Sequence, residues 1–143
     1  ARAAQLGVRL VELDELLKIS DFITIHLPKT KETANLIGVD ALKKVKPTVR
    51  IINAARGGVL DEAALFDAIT EGRVAGAGLD VRAQEPPQDK RFTDLSSVVL
   101  APHIAGITYE SQAAINRVLV SEITAALTGG TQSYAVGSVK RAK

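Results

Sequence analysis

Val49-Arg50-Ile51-Ile52-Asn53-Ala54-Ala55-Arg56-Gly57-Gly58 is a short β-branched run that breaks into small residues and an arginine. The same device recurs twice further on. Val74-Ala75-Gly76-Ala77-Gly78-Leu79 runs into Asp80 and then Glu85-Pro86, and Val98-Val99-Leu100-Ala101 runs into Pro102-His103. Continuous aliphatic runs of this length suit strands of a parallel sheet, buried between helices. In an open parallel sheet the ligand crevice lies outside the carboxyl ends of the strands. These three runs therefore deliver Arg56, Asp80, Glu85 and His103 to one rim.

Outward from this centre, strands and helices alternate. Ala1 to Leu6 reads as a helix end stopped by Gly7, and Val8 to Val11 as a short strand. Leu13, Leu16 and Leu17 share a helix face, with Glu12, Asp14 and Glu15 in its first turn. Phe22 to Leu27 is a strand closed by Pro28, and Lys29 to Gly38 is a polar loop. Asp40 is placed to cap a helix over Ala41 to Lys46, ended by Pro47, and Asp61 to cap Glu62 to Glu71, stopped by Gly72. Arg82 to Asp94 is irregular. A long helix from Glu110 to Leu127 gathers Ile115, Val118, Leu119, Ile123 and Ala126 on one side before Gly129-Gly130. Such alternation predicts a doubly wound α/β sheet. Gly76 and Gly78 inside a strand indicate either close approach of another backbone or ligand, or helix–sheet packing.

Bulk composition narrows the function classes. A chain of 143 residues supports one domain and one core. Its 18 basic and 16 acidic residues leave a net charge of +2, too small and too scattered to argue for nucleic acid. The Lys140, Arg141 and Lys143 cluster reads as a solvated tail. Without cysteine there are no disulfides, thiol nucleophiles or cysteine metal sites, and no metal is expected. No apolar run is long enough for a membrane span and nothing resembles a signal peptide, so a cytoplasmic location is the default expectation. Methionine is absent, and the opening Ala1-Arg2-Ala3-Ala4 reads as an internal piece of something longer.

The rim residues suit one chemistry. Oxidation of a 2-hydroxy acid needs a base for the hydroxyl proton, a cation for the carboxylate and an acid to tune the base. His103 supplies an imidazole near a strand end. Arg56 can fork onto a carboxylate, with Gly57-Gly58 allowing close approach. Glu85 can bond the other imidazole nitrogen, and Asp80 can accept from a carboxamide. Each residue also has a plainer reading: His103 as a loop residue, Arg56 as a cap or surface pair, Glu85-Pro86-Pro87 as a turn. His26 reads as structural, with its backbone turned to a cofactor.

Asn53 to Leu65, Gly78-Leu79-Asp80-Val81, Glu85-Pro86 and Pro102-His103-Ile104-Ala105-Gly106 together resemble the D-isomer-specific 2-hydroxyacid dehydrogenases. Ala1–Val11, Asp21–Thr33 and Asn53–Val81 are most similar to the phosphoglycerate branch of that family. The resemblance implies an NAD-dependent oxidoreductase acting on a 2-hydroxy or 2-keto acid, with 3-phosphoglycerate foremost and a place in serine biosynthesis. It implies Arg56 as carboxylate binder, His103 as proton donor and acceptor, and Glu85 as its acidic partner. Toward NAD it implies Leu27 and Pro28 on the adenine side, Thr33 close by, Ala54 and Ala55 near the nicotinamide, Asp80 at its amide, and His103 and Ala105 alongside.

The departures from the family pattern set further expectations. No Gly-x-Gly-x-x-Gly is present, so the phosphate-binding turn is missing. The resemblance implies a partial Rossmann-like sheet lacking its first two strands, which would lie between Val8–Val11 and Phe22–Leu27. Residues 1–128 would be a partial NAD-binding domain, and residues 129–143 would lead toward a missing substrate domain. Such a chain should be inactive alone, and should re-pair its strands, expose an edge, or associate with its parent segments or another copy. Ile104-Ala105-Gly106-Ile107-Thr108 replaces the branch's usual Leu-Gly-Ala-Ser-Thr, leaving glyoxylate, hydroxypyruvate and sulfolactate-type acids open. A corepressor-type relative would carry Trp where this chain has Gly106. A non-catalytic, self-associating piece is the remaining alternative.

Overall fold

The computed structural model describes residues 2–136, so the Lys140-Arg141-Lys143 cluster lies outside the described part. The chain divides into two compact units, one ending at Ala105 and one starting at Gly106. The first holds a parallel sheet of β1 (Phe22–Ile25), β2 (Arg50–Asn53), β3 (Gly76–Leu79) and β4 (Val98–Leu100), ordered in space as in sequence. Phe22 pairs with Arg50, Arg50 with Gly76, and Ala77 with Val98. Its helices are α1 (Arg2–Gln5), α2 (Leu13–Ile19), α3 (Val39–Leu42) and α4 (Glu62–Thr70).

Side chains alternate across the pleat, and only one side is deeply covered. Ile23, Ile25, Ile51 and Leu79 are buried against Leu17, Leu42, Leu60 and Leu65. On the opposite side Phe22 is 67% and Val99 71% exposed. Crossovers of one hand that always step in the same direction put their helices on one face, which accounts for the asymmetry. The parallel α/β sheet expected from the alternating runs is therefore present, with its strands trimmed by one or two residues at the ends.

Local chemistry explains the element boundaries. The Asp61 carboxylate accepts from the backbone N–H groups of Ala63 and Ala64 at 3.0 and 3.1 Å, capping α4 as its sequence predicts. Gly72 follows at φ 73, a conformation that stops the helix. The cap expected at Asp40 is not formed: Gly38 is the N-cap, Asp40 lies inside the first turn, and α3 ends at Leu42 instead of Lys46. Asp40 pairs with Lys43 at 3.0 Å instead. Gly76 is required by the sheet, because a Cβ there would lie 2.4 Å from the Ser97 carbonyl oxygen. Gly78 meets only ordinary contact with Ile52.

The strand expected at Val8–Val11 is absent. Val8 and Leu10 are exposed, and β1 pairs only with β2 among the described residues. Strand-forming sequence without a ladder partner leaves its backbone to water, so the apolar run stays irregular. Within the described residues β1 therefore forms one edge of the sheet.

The second unit is built on α5 (Tyr109–Thr128). Thr108 and Ser111 form a reciprocal capping box, and Gly129 at φ 77 ends the helix. Beyond it, the Glu122 carboxylate accepts from the N–H groups of Ser133 and Tyr134, each at 3.1 Å. No helix among the described residues is long and apolar enough to cross a membrane.

Candidate active site

The carboxyl ends of the strands are held in register by backbone bonds made with one side chain and two carbonyls. Asn53, buried at the end of β2, accepts from the Ala55 N–H and donates from Nδ2 to the Arg56 carbonyl. This closes the Asn-Ala-Ala-Arg turn and turns the Arg56 side chain outward. The Asp80 N–H donates to the Asn53 carbonyl, and the His103 N–H donates to the Asp80 carbonyl at 2.8 Å. The ends of β2, β3 and β4 are thereby stitched in sequence, bringing three separate runs to one rim.

Asp80 is buried, and its two carboxylate oxygens accept from the N–H groups of Ile104 and Ala105 at 2.8 and 2.9 Å. Burial alone would raise its pKa. The two amide donors and the nearby His103 outweigh that and hold it below the usual aspartate range. Asp80 thus fixes the loop after His103, which sits at φ 57, uncommon for a residue with a side chain.

His103 Nδ1 lies 2.8 Å from Glu85 Oε2. The other Glu85 oxygen accepts from the Arg82 N–H at 2.9 Å. That amide, followed by the bond to His103, keeps Glu85 below the ordinary glutamate range, with some opposition from desolvation and Asp80. An ionised carboxylate only accepts, so Nδ1 carries a proton and Nε2 is left to exchange one with a ligand.

Arg56 is exposed and donates to the Ala55 carbonyl at 2.7 Å. Among the described residues no carboxylate pairs with it, so the surface-pair reading of Arg56 does not hold. One cleft of about 220 Å³ is lined by Arg56, Gly57, Glu85 and His103, which unites the three proton-transfer and carboxylate candidates. A second, sharing Arg56, is lined by His26, Leu27, Pro28, Ala54 and Ala55. Thr33 stands behind it, donating from Oγ1 to the Pro28 carbonyl at 2.7 Å. Ala105 faces Asp80 through its backbone. His26 is tied to Thr24 Oγ1 at 2.9 Å through Nε2, in keeping with a structural reading of its side chain.

Two residues near this rim escape a reading by motif. Buried Arg82 and half-buried Glu62 form an ion pair at 2.9 Å, with Arg82 5.0 Å over the Phe92 ring. Nothing in their spacing, twenty positions apart in the chain, signals a partnership. An arginine directly after a strand-end Asp-Val, where solvation is poor, is the only hint.

Comparison with known proteins agrees with this geometry. The family described as D-isomer specific 2-hydroxyacid dehydrogenase, NAD binding domain, matches residues 1–105. D-3-phosphoglycerate dehydrogenase of Mycobacterium tuberculosis is 54% identical over 129 residues, covering 90% of this chain and 24% of that protein. Glycerate dehydrogenase of Methylorubrum extorquens is 42% identical over 127 residues, covering 87% of this chain and 40% of its own length. The NAD-complexed D-isomer specific 2-hydroxyacid dehydrogenase of Lactobacillus delbrueckii ssp. bulgaricus superposes with TM-score 0.87 at 30% identity, over 92% of this chain and 44% of that one. The four-stranded sheet is thus part of a Rossmann-type sheet, and the chain spans about a quarter of the phosphoglycerate relatives it matches.

Proposed function

The chain belongs to the D-isomer specific 2-hydroxyacid dehydrogenase family, within its NAD-binding domain, and we propose that it supplies the proton-transfer and nicotinamide-facing side of a site interconverting a 2-hydroxy acid and its 2-keto acid. The observation that carries this reading is the Glu85–His103 pair at 2.8 Å, in one cleft with Arg56. Arg56 holds the substrate carboxylate with a fork of N–H donors. His103 takes the hydroxyl proton at Nε2, and Glu85, accepting from Nδ1, stabilises the resulting imidazolium. In the reverse direction the same proton returns to the nascent alkoxide. When bound, NAD accepts or returns the hydride.

The residues present fit parts of both ends of that cofactor's site. Leu27 and Pro28 on the adenine side, and Ala54 and Ala55 near the nicotinamide, form a shallow wall of mixed polarity beside Arg56, and Thr33 braces the Pro28 carbonyl. Asp80 would stand at the nicotinamide amide, with Ala105 alongside. The diphosphate side lacks a Gly-x-Gly-x-x-Gly turn in this sequence. The chain alone is therefore expected to be inactive. 3-Phosphoglycerate is the first substrate to try, because relatives 54% and 50% identical to this chain are named for it. A role in serine biosynthesis and a cytoplasmic location belong to the same reading. So does the division into a partial NAD-binding domain over residues 1–128 and a passage toward a substrate domain over residues 129–143.

Isothermal titration with NADH tests the cofactor half: saturable binding supports it, and its absence from a folded chain counts against it. Turnover of any 2-hydroxy acid by the isolated chain would contradict the expected inactivity. In a protein carrying the complete cofactor and substrate domains, His103→Asn should lower kcat by about 100-fold or more, the usual scale for losing a general base.

A second reading, self-association without catalysis, is favoured by the β1 edge and the exposed Phe22 beside it. Sedimentation velocity over a wide concentration range would remove it if the chain stays strictly monomeric.

A further inference from the structure

We infer that Glu62 and Arg82 are positioning residues for the Glu85–His103 pair, their ion pair gripping the Arg82–Ala83 peptide that aligns Glu85 with the Arg56 loop. The inference rests on the proposed role of Glu85 and His103. Two contacts converge on that peptide and a third on the one just before it. The Ala83 N–H donates to Glu62 Oε1. The preceding Arg82 N–H donates to Glu85 Oε1 at 2.9 Å. The Arg82 carbonyl lies against Gly57, where a Cβ would come within 1.9 Å of its oxygen. Gly57 is the residue after Arg56, so the two successive peptides around Arg82 touch both the carboxylate-binding turn and the acid partner of the base.

Glu62 divides its oxygens between two tasks. Oε1 holds the peptide, while Oε2 accepts from Arg82 Nε at 3.0 Å and Nη2 at 2.9 Å. Its backbone is anchored in the first turn of α4, directly after the Asp61 cap. Arg82 is only 7% exposed at its side chain, and its guanidinium is covered by Phe92, itself packed edge-on against Phe66 at 5.9 Å. An apolar pair of the same volume could stabilise the fold as well as this ion pair. It could not accept the Ala83 N–H, and so could not fix the turn that presents Glu85. The arrangement therefore joins the end of β3 to the start of α4 through a carboxylate, with the catalytic acid hung from the joint.

The test reads Glu85 directly. In chain labelled with ¹³C-glutamate, the Glu85 carboxyl is assigned by its loss in Glu85→Gln and titrated by NMR. In the unsubstituted chain it should titrate below the ordinary glutamate range, with His103 and Asp80 the charged groups facing it. In Glu62→Leu, which removes the acceptor of the Ala83 N–H, it should move up by about half a unit or more, as the Arg82 N–H loses its fixed place. Because Glu62→Leu leaves a buried cation unpaired, the double variant Glu62→Leu/Arg82→Met is measured alongside, with circular dichroism as the check on folding. The same upward move in the folded double variant is expected, whereas an unchanged Glu85 titration there would overturn the inference. Failure of the unsubstituted chain to bind NADH would strike the proposed function while leaving this titration where it is.

Discussion

His103, the proposed proton carrier, sits on a backbone at φ 57, a left-handed conformation that disfavours residues branched at Cβ. His103→Asn should accordingly melt above His103→Val, by a gap worth about 1 kcal/mol; equal melting points would show that the turn relaxes. Asp80 stabilises the same turn from below. Its pKa is depressed in the folded chain, so its contribution is whole above the ordinary aspartate value of about 3.9 and is lost as pH falls through the lower folded value. Glu85 acts in the same direction. Urea midpoints should therefore fall on acidification below about pH 5, and Asp80→Asn should flatten that dependence. Gly57→Ala meets backbone instead of a yielding side chain. It should cost about 1–3 kcal/mol in urea unfolding, the scale of overpacking. At this scale the motif residues were readable because their chemistry is local to strand ends. Arg82 and Glu62 were not, because an ion pair between β3 and α4 exists only once the sheet has formed.

The elements repeat that division. Strands β1 to β4 were legible as short runs rich in aliphatic residues, and α4 by its Asp61 cap and Gly72 stop. At α3 pattern reading failed, since Gly38 and not Asp40 is the N-cap. The run at Val8–Val11 shows the opposite limit: apolar, β-prone sequence specifies a strand only when a neighbour offers its backbone. Capping can be tested where it was read correctly. Asp61→Ala removes two acceptor contacts from the first turn of α4 and should cost about 1–2 kcal/mol in thermal melts. Asp61→Asn, able to accept one such bond, should recover most of that loss.

For the first unit as a whole, the sheet has one deeply covered face and one bare flank. Native-state hydrogen exchange should rank β2 and β3 as most protected, with outward amides of β1 exchanging far sooner; uniform protection across the four strands would mean the β1 edge is covered in solution. An open edge beside Phe22–Leu27 was legible from the expected place of the missing strands, whereas the loss of the Val8–Val11 strand showed only in how the remaining strands pair. Strand order here repeats chain order, each strand lying beside the one just before it. On a ribosome, every new strand of this unit emerges to find its neighbour already made, and no earlier strand must wait for a later one to be inserted between it and its partner. Growth of the sheet is then one-directional, like courses laid on a wall, and the last strand added, β4, is the one that delivers the histidine.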